Sequence, residues 1–403
     1  MKIVGLMSGT SLDGIDAVLA EFQGASEGDL EWRVVAFTSV PYTAERRTTI
    51  HDSILQGSAE SLCRVHALLG ELFAEATLRV CEQAGIPPDD VELVGSHGQT
   101  VWHIPRAGEP HAATLQLGDP ARIAECTGIP VVSDFRARDI AAGGEGAPLV
   151  PWQDRVLFSL PGRRRVLQNI GGIGNLTWVP PRGEATPLLA FDTGPGNALI
   201  DAAVELATGG RETFDRDGLR AARGRVRGDV LEELLAHPFF RLEPPKSTGR
   251  EVFGRPFVAT LAERHGIAGD AAWDDVVATL TALTARTITD SIRRWVSARG
   301  VDEVVVSGGG ARNPTLMERI REGLQPTPVF TGERLGVDPD AKEALAFAAL
   351  AWAHVHGVAG NVPEATGATG PRVLGSLTPG AAWRRPLAAG SAGDSPGRSA
   401  RRA

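Results

Sequence analysis

The chain is 403 residues long, 42% hydrophobic and 22% charged, with a formal net charge of −8. That balance suits a soluble globular protein with room for two ordinary domains, and it offers no global positive field for nucleic acid or an anionic membrane. No apolar run approaches the ~18 residues of a membrane-spanning helix, and the opening MKIVGLMSGT breaks into glycine and serine before an export signal could form.

In chain order, the text predicts a strand over 2–7, a glycine-rich turn and a second strand over 16–22. The turn, GTSLDGID (9–16), spaces its glycines as a Walker A loop does. Ile15 and Asp16, however, stand where that loop needs Lys and Ser or Thr, and a strand follows instead of a helix. It is not a P-loop. Two readings remain: a plain hairpin with Asp-Gly turn chemistry, or a nest of N–H groups around phosphates with Asp13 or Asp16 facing a hydrated Mg²⁺. A strand over 32–42 follows, then a helix over 58–85 with Leu62, Val65, Leu68, Leu69, Leu72 and Phe73 at helical spacing. The Cys63 and Cys81 thiols of this helix, like Cys126, lack metal or redox spacing and read as buried and reduced.

VELVGSHGQTVWH (91–103) reads as a buried strand with a polar end. Its His97, Gln99 and Thr100 are suited to a polyhydroxylated ligand and Trp102 to stacking on a sugar face, although His97 can equally be a satisfied core histidine. A helix near 119–127 and a short strand in GIPVVSDF (128–135) complete a first half of alternating elements. The pattern predicts a largely parallel α/β structure with an antiparallel hairpin at its start. RDIAAGGEGAPLVP (138–151) has no periodicity and reads as a loop or hinge.

The grammar then restarts. Residues 164–180 repeat strand, glycine turn, strand, with NIGGIGNLT (169–177) as a second candidate phosphate hairpin or a plain tight turn. The similar openings hint at duplication. FDTGPGN (191–197) puts Asp192 at a strand's carboxyl end, where open α/β sheets carry catalytic groups and where a base could deprotonate water or a sugar hydroxyl. A helix N-cap is the competing role. KSTGREVFG (246–254) combines cations with hydroxyls that could meet an anion or simply face solvent. Helical text fills much of 228–300, and VSGGGARNP (306–314) places three glycines at a strand-to-helix junction open to a flat ligand such as adenine. The dinucleotide fingerprint fails there, because Asn313 holds its last glycine position. A nearly all-apolar helix over 340–357 comes last. HExxH, GxSxG and CxxC are absent, which argues against metalloprotease, α/β-hydrolase and redox functions.

Taken as an ordered set, MSGTSLDGIDAVL, GSHGQTVWH, LQLGDP, NIGGIGNLT, FDTGPGN, FDRDG, KSTGREVFG, VSGGGARNP and DAKEALAFA closely resemble the anhydro-N-acetylmuramic acid kinase family over about residues 1–380. The resemblance implies an α/β, two-domain sugar kinase/actin/Hsp70-like (ribonuclease H-like) fold with a nucleotide cleft between the domains. It implies ATP-dependent, hydrolytic opening of 1,6-anhydro-N-acetylmuramic acid to N-acetylmuramic acid 6-phosphate, with Mg²⁺, in bacterial cell-wall recycling. Asp192 then maps to the general base and Glu343 to a second acid beside the substrate, unless Glu343 is only a first-turn helix acid. Gly9, Thr10, Ser11, Leu12, Asp13, Gly14, Ile15 and Asp16 map to the first phosphate hairpin, with Asp13 preferred at the metal. Gly171, Gly172, Gly174 and Asn175, with Gly194, map to the second. Gly308, Gly309, Gly310 and Asn313 map to the nucleoside side, and His97, Gln99 and Thr100 to the sugar. Domains are expected at 1–145 and 146–359, with 360–386 able to return to the first and 387–403 a disordered tail. Small-molecule sugar and ATP are the expected partners, without nucleic acid or membrane, in the cytoplasm; pairing of two copies is left open.

Overall fold

The glycine turns do form hairpins. In a computed structural model, which describes residues 1–9, 12–104, 106, 111–184 and 186–381, β1 (Lys2–Ser8) and β2 (Gly14–Gln23) pair antiparallel, and β3 (Glu31–Pro41) extends the meander. β4 (Leu93–Ile104) lies parallel to β1 on its other side, β5 (Ala113–Leu117) folds back on the end of β4, and β6 (Val131–Ser133) runs parallel to β4. The second sheet repeats the plan. β7 (Arg165–Ile170), β8 (Ile173–Val179) and β9 (Leu189–Pro195) form an antiparallel meander, and β10 (Glu303–Ser307) and β11 (Val329–Thr331) are added parallel beside β7. The orders β3-β2-β1-β4-β6 and β9-β8-β7-β10-β11 are one topology used twice. The result is an α/β fold of two like-built sheets, in keeping with the architecture that the sequence resemblance implies. It is less parallel than expected, because each domain contributes a whole meander and because β5 and a last strand, β12 (Ser376–Thr378, on β6), return antiparallel.

The helix over Lys342–His356 departs from the expected domain division. It lies on β1, β2 and β4 of the first sheet. Two glycines permit this: a Cβ at Gly5 would sit 2.0 Å from the Ala344 carbonyl oxygen, and one at Gly95 would sit 2.1 Å from that of Phe347. Backbone therefore meets backbone, and any side chain at either position would push the helix off the sheet. The return to the first domain comes near residue 342, not 359, and Glu343 is fastened to the first sheet. The expected loop at 138–151 is also more ordered than its composition suggests. It contains a short helix, Ala137–Ala141, and the start of another, Val150–Phe158, with Pro151 in its first turn. Asp139, fully buried, gathers the stretch by accepting from Gly146 N–H (2.8 Å), Asn361 Nδ2 (2.7 Å) and Thr366 Oγ1 (2.8 Å).

The chain thus crosses between the sheets at Val150–Phe158 and again at residue 342. Both crossings share a core with Ile3 and Val18 of the first sheet and Leu167 and Val305 of the second. Cys81 is buried, whereas Cys63 and Cys126 are exposed on outer helix faces, and all three are free thiols. No helix among the described residues is long and apolar enough to cross a membrane. Thr10, Ser11 and the tail at 387–403 lie outside the described residues.

Candidate active site

The carboxyl ends of the central strands face one another across a cleft of ≈ 810 Å³. Both hairpins reach it, as do Asp192 of β9 and the turn at Gly308, but through different residues. From the first, Gly9, Asp13, Gly14 and Asp16 line the cleft, while Leu12 and Ile15 turn into the core behind it. Leu12 does so with a left-handed φ of 55°. Buried side chains hold this turn. Gln99 accepts from Ser8 Oγ (2.6 Å) and donates through Nε2 to the Gly9 carbonyl (3.2 Å), and Tyr42 Oη lies 2.9 Å from the same Ser8 oxygen. Burial pushes the Tyr42 phenol up to about 12, so it acts here as a neutral hydrogen-bonding group.

Main chain holds the second hairpin. Gly196 and Ala198 donate to the Gly172 carbonyl (2.9 and 3.0 Å) and Asn197 donates to that of Gly171 (2.8 Å). Asn169 and Asn175 border the cleft; Gly174 and Gly194 pack behind them, against Thr193 and Phe240 respectively. Gly308 also borders the cleft, whereas Gly310 packs on Ile170 and Asn313 caps the helix Pro314–Leu324 by accepting from Leu316 N–H at 3.0 Å.

Asp192 enters from β9, opposite Asn175 of β8. Its Oδ2 accepts from Ser247 Oγ and Thr248 N–H, both at 2.9 Å. Those donors leave Oδ1 without a protein partner among the described residues. Burial pushes its carboxyl above its ordinary value, against those hydrogen bonds and the nearby Lys246 cation. Lys246 is itself buried, with Nζ 4.7 Å from the Phe239 ring centre, and burial lowers its pKa. Thr248 Oγ1 is buried beside this cluster without a hydrogen-bond partner among the described residues.

On the opposite wall Glu343 and Asp16 are both shifted upward. Glu343 reaches the water of the open cleft, yet dense protein surrounds it. That surrounding is the main cause of its rise, followed by the charge of Asp16, while Lys342 and Arg136 oppose it. For Asp16, burial leads, Ser39 opposes by hydrogen bonding, and Asp340, Asp13 and Asp338 add like charge. Asp13 pairs with Arg47 and Asp340 with Arg312 (3.1 Å), but no cation pairs with Asp16 among the described residues. No group of three or more metal-ligating side chains occurs among the described residues. This donor set suits Mg²⁺, which keeps several waters and takes one or two carboxylates together with phosphate oxygens.

The three residues expected at the sugar lie elsewhere. Gln99 braces the first turn, and Thr100 accepts from Gln116 Nε2 at 3.4 Å. His97 is buried, with Nδ1 donating to the Gly98 carbonyl (2.9 Å) and Nε2 accepting from Arg136 Nε (3.0 Å). Burial, then the Arg136 charge, holds it neutral with a pKa of about 3. None of the three lines the cleft. Lys246 comes from the KSTGREVFG stretch that the sequence offered to an anion or to solvent, and it borders the cleft. Sequence reasoning missed the buried Lys342–Asp154 pair (2.8 Å), beside which Gln153 donates to the Lys342 carbonyl at 2.8 Å. The available signal was the polar pair Gln153-Asp154 inside an apolar helix start, LVPWQDRVLF.

A family model described as anhydro-N-acetylmuramic acid kinase matches residues 1–380. A protein of that name from Caldanaerobacter subterraneus subsp. tengcongensis is 46% identical over 383 residues, covering 93% of this chain and 96% of its own. One from a Cyanothece species is 44% identical over 388 residues, covering 94% and 99%. Among solved structures, a ROK hexokinase from Thermus thermophilus overlaps loosely, at 19% identity and a TM-score of 0.35 over 87% of this chain and 99% of that one. With a family model matched over residues 1–380 and relatives 44–46% identical over nearly their whole length, the chain belongs to the anhydro-N-acetylmuramic acid kinase family.

Proposed function

We propose that this chain uses ATP and water to open 1,6-anhydro-N-acetylmuramic acid and to phosphorylate O6, giving N-acetylmuramic acid 6-phosphate and ADP in cell-wall recycling. The family match over residues 1–380 carries this reading. Its chemistry needs a base on one wall of a cleft and a phosphate grip reaching the same space, and Asp192 and the first hairpin meet that need.

Asp192 takes a proton from water through its free oxygen as the water attacks C1. The C1–O6 bond breaks, and its electron pair leaves on O6, which attacks the γ-phosphorus while ADP departs. Ring opening thereby creates the phosphoryl acceptor. An aspartate with a raised pKa is a better base than an ordinary one, and Ser247 and Thr248 keep its other oxygen occupied and its plane fixed. Lys246 and the amides of the glycine turns face the charge that develops on the transferred phosphoryl group. Asp16, rather than the Arg47-paired Asp13, would hold Mg²⁺ with Asp13 as an outer partner; the ion supplies neutralisation of the phosphates. Glu343 sits on the sugar side. A cytoplasmic location and a pair of copies complete the proposal.

The test is transfer of labelled γ-phosphate from ATP to the anhydro sugar, with NMR of C1 and C6 in the product. A free reducing C1 with phosphate on O6 is expected. ATP binding with unchanged sugar would overturn the reading.

A further inference from the structure

A second hollow, of ≈ 500 Å³, opens where the helix Asp270–Ser291 ends beside the short turn Pro238–Arg241. It shares no lining residue with the catalytic cleft. In a chain of net charge −8, four arginines border this one space, Arg241, Arg286, Arg293 and Arg294, against the two carboxylates of Glu232 and Asp290. Asp290 is shared by Arg286 (2.9 Å) and Arg293 (4.0 Å), and Arg293 also donates to the Gly323 carbonyl. Arg294 lies over the Trp295 ring, 4.4 Å from its centre, and pairs with no carboxylate among the described residues. Arg241 and Glu232 stand exposed at the rim, and neither side chain has a hydrogen bond or ion pair among the described residues.

An irregular turn of backbone gathers these groups. Past Ser291 the helix widens into a π turn, Ile292–Val296, in which the Ser297 N–H donates five residues back to the Ile292 carbonyl. Successive residues of an ordinary α-helix diverge by about 100°, yet Arg293, Arg294 and Trp295 in a row border the same hollow. Turns of this kind recur at functional sites. Ser291 lies among the arginines. It is 6% exposed, it borders the hollow, and its hydroxyl has no hydrogen-bond partner among the described residues. A buried polar group of that kind calls for a partner. The cleft lies past the neighbouring turn: Phe239 carries Lys246 over its ring and accepts from Lys246 Nζ at its carbonyl (3.4 Å), whereas Phe240, next in the chain, borders the hollow.

Four arginines against two carboxylates leave two positive charges in excess. With N–H groups on several sides and a free hydroxyl, that excess matches an oxyanion of three oxygens and a charge of about −2, which describes a phosphate monoester. A carboxylate would answer half of the charge and a single fork. The space is larger than a phosphate needs, and Phe240 and Trp295 offer the remainder of the ligand an apolar wall. We propose that this hollow is a second binding site, separate from the cleft, for a sugar phosphate monoester, with Arg241 and Arg294 on the phosphate and Phe240 and Trp295 along the sugar. The site stands apart from the kinase reading, although the reaction proposed above makes a sugar phosphate of this class.

The experiment is calorimetry on the full chain with the cleft filled by a non-hydrolysable ATP analogue. Glucose 6-phosphate, N-acetylmuramic acid 6-phosphate, glucose and inorganic phosphate are titrated in turn. One site is expected for the esters and none for glucose, with inorganic phosphate about 10-fold weaker because it leaves the apolar wall unused. Arg241→Gln and Arg294→Gln should each weaken ester binding about 10- to 100-fold, and Arg241→Gln should leave turnover of the anhydro sugar unchanged. Tighter binding of the muramic ester than of glucose 6-phosphate assigns the site to the product, and the reverse assigns it to another sugar phosphate. Absence of ester binding, displacement by the ATP analogue, or indifference to both arginines would overturn the site; the arginines would then only complement the carboxyl end of their helix. Inorganic phosphate binding as tightly as the esters would also overturn it. Should Arg294→Gln fail to fold, hydrogen exchange on the unaltered chain answers the same question. Glucose 6-phosphate should slow exchange over 239–242 and 291–297, and protection confined to the cleft overturns the proposal. If the chain binds the esters but turns over no anhydro sugar, the kinase reading fails and this site stands.

Discussion

The two glycine-turn hairpins share a fold and both border the cleft, yet they are held in opposite ways. The first hairpin is braced at Ser8 and Gly9 by the side chains of Gln99 and Tyr42, and it carries the carboxylates of Asp13 and Asp16. The turn at 171–172 is braced by the main chain of 196–198 and carries none; its acid, Asp192, stands on the neighbouring strand. A brace of side chains can be altered residue by residue, whereas a main-chain brace depends on how closely two backbones approach. On the proposed reading, the first side would bring charge and a metal to the nucleotide, and the second would bring shape and leave its carboxylate free for the sugar's water.

The largest break in this division should come from Asp192→Asn. It removes a base with little change of volume, so turnover should fall about 10²- to 10⁴-fold while calorimetry still registers both substrates. In the unaltered enzyme the acid limb of kcat/KM should lie above the ordinary aspartate value of 3.8, because Asp192 works only when ionised and its pKa is raised. The variant should lose that limb. The same shift has a second sign to check. A carboxyl raised in the folded state stabilises the fold at low pH and loses that contribution as pH rises through its folded pKa. Asp192 and Glu343 therefore favour folding less at neutral pH than in mild acid, the reverse of a salt-bridged aspartate.

Next in size, Asp16→Asn should weaken the apparent Mg²⁺ affinity by about 10- to 100-fold, read from initial rates titrated with Mg²⁺ at fixed ATP. Asp13→Asn should weaken it less, since Arg47 already offsets that charge. Equal effects would return the two residues to parity. Gly196→Ala then tests the main-chain brace. Its Cβ would lie 2.3 Å from the Gly171 carbonyl oxygen, and a strained insertion of this kind costs about 1–3 kcal/mol. Urea unfolding should register the loss together with a raised KM for ATP. Smallest is Gln99→Leu, expected to cost about 1–2 kcal/mol. Ser8 keeps the Gly14 carbonyl (2.9 Å) as an alternative acceptor, so the first turn loosens without leaving a buried hydroxyl stranded.

What could be read in advance follows the range of the forces involved. Turns, alternation and the strand-end position of Asp192 are local, and Gly9–Gly14, Gly171–Gly174 and β10 emerge from neighbouring residues alone. Pairings made across the chain are invisible to that reading. His97 looks like a ligand to a sugar until Arg136, 39 residues on, occupies its second nitrogen. The buried pair of Lys342 with Asp154 joins residues far apart in the chain and has no local signature. The three-residue strands β11 and β12 are held by their neighbours in the sheet and carry little pattern of their own.

The packing of Lys342–His356 on the first sheet bears on synthesis. The first sheet is made early, but the helix that covers one of its faces and the strand that pairs with β6 come from the last part of the described chain. As the chain leaves the ribosome, the second domain has its own strands and helices complete while the first still exposes an apolar face. Domains that emerge first ordinarily fold first; here the order is inverted, and the amino-terminal half must wait. Chains stopped before residue 342 should therefore aggregate through that uncovered face, whereas the segment from 164 to 341 should be the part that survives proteolysis.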